Sequence, residues 1–293
     1  MVRRAVWGIA LALLLSLAAA GQAQEGYLDV YTVKVRPEKR AAFDAIVKKM
    51  VDANQSVKGD TWVALETQYG EGNVVYFISV RRNYAEIEQG AGAFMGALNK
   101  AFGPDGASKI LQDFNNCIVS SRAEVRRRRW DLSANAPADP SAMNKLVGEA
   151  RWVRTTIVRV RPGQVLNVEN QLQAIKAATE AATPPSVTLV SQSSAGQEGT
   201  VFYISALRSS LGGFDVGPPL PQILGEEGYQ KFLKTASESV LSTEVTINRF
   251  LPELSNAPEE IASVAPGFWR PQPPVMAKSK TPGTRKAEVK QKQ

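Results

Sequence analysis

The stretch Leu28-Asp29-Val30-Tyr31-Thr32-Val33-Lys34-Val35-Arg36-Pro37 returns 125 residues later as Val153-Arg154-Thr155-Thr156-Ile157-Val158-Arg159-Val160-Arg161-Pro162. A second echo pairs Glu71-Gly72-Asn73-Val74-Val75-Tyr76-Phe77-Ile78-Ser79 with Glu198-Gly199-Thr200-Val201-Phe202-Tyr203-Ile204-Ser205, and sets Ser79 and Ser205 126 residues apart. Register held over the length of a domain is the mark of internal duplication. The fold question then becomes what one copy forms and how two copies meet.

Within the first copy, Leu28–Arg36 alternates and is rich in branched and aromatic residues, which predicts a strand. Pro37 opens a helix at the position where its missing N–H costs nothing. Phe43, Ile46, Val47 and Met50 then recur at helical spacing. Trp62–Leu65 and Val74–Val80 predict two more strands across a glycine-rich hairpin, and a late helix through Ile110, Leu111 and Phe114 leads into a last strand, Ile118–Arg128. The second copy repeats the order, except that Leu211–Pro221 is Gly/Pro-rich where the first copy is more helical. Strand, helix, strand, strand, helix, strand describes an antiparallel sheet with helices on one face. The other face is also apolar and needs cover. The expected fold class is therefore α+β: tandem ferredoxin-like repeats, packed sheet to sheet within one chain as a sandwich or barrel of two half-units.

This layout resembles the dimeric α+β barrel superfamily, which includes antibiotic-biosynthesis monooxygenase-type and NIPSNAP-type domains. Val35-Arg36-Pro37, Tyr76-Phe77-Ile78-Ser79 and their counterparts Val160-Arg161-Pro162 and Phe202-Tyr203-Ile204-Ser205 carry the resemblance. It implies an intrachain pseudo-dimeric α+β barrel; its members range from cofactor-free oxygenases and haem enzymes to proteins of no known activity. With no histidine in the chain, a haem-ligating or His-assisted member is not expected.

Residues 1–23 form an expected signal peptide: Arg3 and Arg4, an apolar core from Trp7 to Ala20, then Gly21-Gln22-Ala23. The expected division continues with a first repeat (24–133), a linker (134–150), a second repeat (151–255), and a Pro-rich, then basic, disordered tail (256–293). The formal charge of +7 resides at the ends. Seven Lys/Arg against one Glu lie beyond residue 268, and residues 24–268 sum to −1. Nucleic acid is not an expected partner of a near-neutral exported body. The tail could make weak contact with an anionic envelope surface.

One cysteine and no histidine exclude ordinary zinc sites; no metal and no cofactor are expected. Cys117 reads as a small buried hydrophobe, and Ser79 and Ser205 as equivalent packing positions. The run Arg126-Arg127-Arg128-Arg129 reads as a strand end entering solvent at Arg128. An apolar or aromatic small molecule is the expected ligand, and the candidate residues are Trp62, Tyr69, Tyr76 and Phe94 in the first repeat with Phe202, Tyr203 and Phe214 in the second. Three functions are consistent with this: an exported small-molecule-binding or structural protein, a cofactor-independent oxygenase or isomerase, and an envelope protein acting through its tail.

Overall fold

The computed structural model describes residues 26–271; the expected signal peptide and the basic end of the tail lie outside them. The first repeat contains β1 (Tyr27–Val35), α1 (Arg40–Val57), β2 (Val63–Tyr69), β3 (Val74–Arg81), α2 (Tyr84–Asn115) and β4 (Ile118–Arg128). After α3 (Pro140–Glu149), the second repeat contains β5 (Trp152–Val160), α4 (Val165–Ala181), β6 (Leu189–Ala195), β7 (Val201–Arg208), α5 (Leu220–Ser239) and β8 (Val240–Phe250). Two short helices follow, α6 (Glu259–Ala262) and α7 (Pro266–Trp269).

The strands close a barrel in the order β1-β3-β2-β8-β5-β7-β6-β4. Each repeat supplies four contiguous antiparallel strands, and the repeats join at β2–β8 and β4–β6. Closure removes every free sheet edge, so no row of backbone donors is left to recruit another chain. The architecture is the expected pseudo-dimer within one polypeptide.

Local signals explain the helices. Phe43, Val47, Met50 and Val51 face one way along α1, which ends where Lys58 turns left-handed at φ 54°. Asn83 caps α2 by accepting a hydrogen bond from the Glu86 N–H at 3.0 Å. Gly103 (φ 70°) kinks α2 and Gly225 (φ 67°) kinks α5, so the two late helices break at matching glycines. Only a residue without Cβ takes that conformation at no cost.

Strand pairing corrects the second sequence echo by one residue. Thr32 lies opposite Tyr76 on β3, and Ile157, its equivalent on β5, lies opposite Tyr203 on β7. The equivalent of Tyr76 is therefore Tyr203, not Phe202, and Arg81 corresponds to Arg208. Ser79 and Ser205 are not equivalent: a one-residue slip reverses the faces. Ser79 donates to the Thr61 carbonyl, whereas Ser205 meets Thr155 at 3.0 Å inside the barrel.

Each repeat has a core between sheet and helices. Val33, Val35, Phe43, Val47, Leu98 and Phe114 fill the first, with Cys117 buried among them. Val158, Val168, Leu172 and Phe202 fill the second. The cover differs. In the first repeat α2 buries Gly90, Ala97, Leu98, Ala107 and Phe114, whereas only Ser239 of α5 is buried.

The space between the sheets is not uniformly apolar, contrary to the expectation of a second apolar sheet face. Leu65, Val153, Leu207 and Phe250 fill one end; Glu124, Arg126, Tyr203, Thr67, Thr246 and Asn248 meet farther along. Beyond Phe250, residues 256–271 belong to the folded body, contrary to the tail expected from 256. Ile261, Ala262 and Trp269 plug the apolar end, and the Trp269 indole donates to the Gly148 carbonyl at 2.9 Å. Residues 134–150, expected as a linker, carry α3, whose Leu146 and Val147 pack against the same plug. Nor does β4 enter solvent at Arg128. It stays paired to Ser191, and Arg129 is buried against Asp131, Glu169 and Gln192. Arg128 lies over the Trp130 ring at 4.0 Å, its pKa drawn down to about 10 by burial.

Candidate functional site

The seven aromatic residues singled out from the sequence do not converge. Trp62 lies in the first core, edge-on to Phe94 at 5.9 Å, and donates to the Leu254 carbonyl at 2.8 Å. Phe202 is fully buried in the second core. Tyr69 is exposed, and Phe214 is half-buried in a short 3-10 turn, Leu211–Phe214. Tyr76 and Tyr203 alone occupy equivalent places, both facing the barrel interior.

Around those tyrosines the interior holds a cluster of ionisable groups. The Tyr203 phenol donates to Glu124 at 2.9 Å, and Arg126 donates to the same carboxylate at 2.8 Å. Arg126 also lies 3.6 Å above the Tyr203 ring. Gln197 donates to Glu124 while accepting from Arg122 at 3.0 Å and Arg159 at 3.1 Å. Burial first, aided by the Glu124 charge, pushes Tyr203 up to about 12; burial also raises Tyr76. Tyr203 is therefore a neutral donor at physiological pH, and no free base stands beside it. The pseudo-symmetric junction is uncharged: Thr67 donates to Asn248 at 2.9 Å, and Asn248 donates to Thr246 at 3.2 Å. With its donors and acceptors engaged on one another, the Glu124 cluster clasps β4 to the second repeat. It is a joint.

Open space occurs elsewhere, beside the end of β7, and the equivalent place beside the end of β3 is closed. In the first repeat Arg81 is closed off. Its guanidinium grips Asp60 through two hydrogen bonds of 2.7 Å, with Asp29 at 3.7 Å. The first turns of α2 lie directly on it, at Gly90, where a Cβ would sit 2.4 Å from an Arg81 nitrogen. In the second repeat the helix does not begin until Leu220, because Gly212, Gly213, Gly217, Pro218 and Pro219 intervene. A cleft of about 190 Å³ remains, lined by Leu146, Pro184, Pro185, Ser186, Val187, Arg208 and Val216.

Arg208 is oriented by backbone alone. Its Nε donates to the Gly213 carbonyl at 3.0 Å and its Nη1 to that of Leu207 at 2.8 Å. Its pKa is lowered by burial with no carboxylate among the described residues to offset it, whereas Asp60 and Asp29 raise that of Arg81 against burial. A partly buried guanidinium without an anion, walled by apolar side chains, suits binding an anionic or strongly hydrogen-bond-accepting small molecule. None of the seven aromatic candidates lines the cleft. Sequence reading missed Arg208 because the echo ends at Ser79 and Ser205, short of both arginines, and Ser186 because it lies ahead of β6, outside both echoes. Val74–Arg81 set against Val201–Arg208 ends both strands on arginine.

Comparison with known proteins bears on the fold alone. No protein-family model matches the chain, and no curated protein matches it in sequence. Among solved structures, an anthrone oxidase-like protein is similar at TM-score 0.50 with 12% identity, over 78% of this chain and 93% of that one. A "putative monooxygenase" from Lactobacillus acidophilus is similar at TM-score 0.45 with 12% identity, over 78% and 94%. A heme-binding protein from Thermus thermophilus is similar at TM-score 0.41 with 11% identity, over 78% and 91%. The chain has the dimeric α+β barrel fold, with both halves of the barrel in one polypeptide.

Proposed function

We propose that this is an exported small-molecule-binding protein in which the second repeat holds the ligand and the first is its scaffold. The observation that carries this reading is the cleft at Arg208. The same place in the first repeat is shut by α2 and Asp60, and both helix–sheet cores are filled by their own side chains. Export rests on the N-terminal sequence; cleavage after Ala23 would be read directly from the mass of the mature protein.

The test is a fragment screen by amide chemical-shift perturbation on the mature protein. Shifts confined to Leu146, Ser186, Val187, Arg208, Val216 and their immediate neighbours are expected. Shifts only in the first repeat, or none, would overturn the assignment of the binding half.

A second reading, cofactor-independent oxygen chemistry, is suggested by the name of the anthrone oxidase-like neighbour and supported by one observation here. An unneutralised guanidinium would also stabilise a phenolate or enolate, the electron-rich form of a substrate that reacts with dioxygen. This reading predicts dioxygen consumption with a phenolic substrate, abolished in Arg208→Gln.

A further inference from the structure

Resting on the assignment of the second repeat as the binding half, we infer that the cleft takes small organic monocarboxylates, with Arg208 gripping the carboxylate where Asp60 stands against Arg81. Pseudo-symmetry carries the argument. Trp62 bridges to Asn256 and Thr188 bridges to Ala134, which makes Thr188 the counterpart of Trp62 and Ser186 the counterpart of Asp60. The two residues are even held alike: Asn256 donates to the Asp60 carbonyl at 2.6 Å, and Asn135 donates to the Ser186 carbonyl at 3.0 Å.

The second carboxylate has also gone. Asp29 pairs with Ser79 on β3, and its counterpart Arg154 pairs with Ala206 on β7. One guanidinium facing two carboxylates in the first repeat has become two arginines and a serine in the second. The duplicated arginine is kept, its protein anions are lost, and the helix that covered it is replaced by a Gly/Pro-rich turn. An external carboxylate restores the missing charge and can use the paired geometry that Arg81 shows with Asp60.

The walls set the rest of the ligand. Pro184, Pro185, Val187, Val216 and Leu146 offer apolar surface and no further charge. A volume of about 190 Å³ compares with the ~150 Å³ that encloses a benzene ring. One ring or a short branched chain bearing a single carboxylate is the class that fits.

The test titrates the mature full-length protein with benzoate and with its neutral isostere benzamide, following the amide resonances of Ser186, Val187, Arg208 and Val216. Benzoate should bind about tenfold or more tightly than benzamide, the ratio expected of a charge-assisted pair. Arg208→Gln should bind the two alike. Ser186→Asp, which rebuilds the pair of the first repeat, should lose benzoate while its melting temperature stays at or above that of the parent. Equal binding of both probes by the parent would leave the cleft standing and overturn the carboxylate assignment. Undiminished benzoate binding by Ser186→Asp would overturn the equivalence with Asp60. If neither probe moves these resonances, the cleft as a binding site and the carboxylate inference fall together.

Discussion

Tyr203 and Glu124 show how a buried polar pair sets the response of the protein to pH. The folded state holds the phenol neutral with a pKa pushed to about 12, against about 10 in the unfolded chain. The stabilisation is therefore complete below pH 10 and lost progressively as pH rises towards 12, a span worth about 2–3 kcal/mol. Equilibrium unfolding from pH 8 to 12 should show this alkaline loss. In Tyr203→Phe the loss should flatten, from a starting stability lower by about 1–2 kcal/mol because Glu124 loses a donor. An unchanged alkaline slope would refute the assignment. The duplicated arginines give a second contrast at this scale. Arg81→Met leaves Asp60 and Asp29, both half-buried, without their partner and should cost about 2–3 kcal/mol. Arg208→Met strands no carboxylate and should cost less than about 1 kcal/mol, as urea denaturation would show.

At the scale of elements, the closing segment is the surprise. Trp269 lies edge-on to Phe250 at 5.5 Å and seals the apolar end of the barrel. Trp269→Ala should cost about 3–5 kcal/mol, the ordinary penalty for deleting a buried tryptophan. Truncation after residue 271 should leave the melting temperature unchanged, whereas truncation after 255 should produce an aggregating product. Equal stability of both truncations would contradict the plug. Helix α2 makes its own prediction. Gly90→Ala pushes a methyl group into the Arg81 guanidinium, which Asp60 holds in place, and should cost about 1–3 kcal/mol. The segment from 256 onward reads as disordered because six prolines break its pattern. Four-residue helices such as α6 and α7 leave no helical periodicity to detect; they are held by burial against a partner already in place.

At the scale of the whole molecule, two sheets are held by a mixed interface that neither repeat completes alone. Produced separately, residues 26–133 and 151–271 should each self-associate, and mixing should yield a one-to-one complex on size exclusion; two stable monomers would contradict this. Much of that architecture was legible. The repeat, the βαββαβ order and the need to cover a second sheet face follow from alternation, helical spacing and turn residues, all of them local patterns. The charged interior was less so, since Arg126 alternating with Glu124 on a strand reads as solvated until another sheet is laid over it. Of the candidate site only the arginine that ends each strand, Arg81 and Arg208, was legible. Val74–Arg81 and Val201–Arg208 are apolar at nearly every position, so sliding one past the other by a residue costs almost nothing in resemblance. Only hydrogen-bonded pairing to β1 and β5 fixes which side chain faces which way. By itself, then, the sequence determined the duplication, the strand and helix order and the need to lay one sheet on the other, because periodic burial demands them; closure into a barrel is set by the β2–β8 and β4–β6 pairings. Which arginine kept its carboxylates and which lost them was decided in tertiary structure alone, because Arg81 meets Asp60, and Arg208 its cleft, through residues distant along the chain that only the closed sheet brings together.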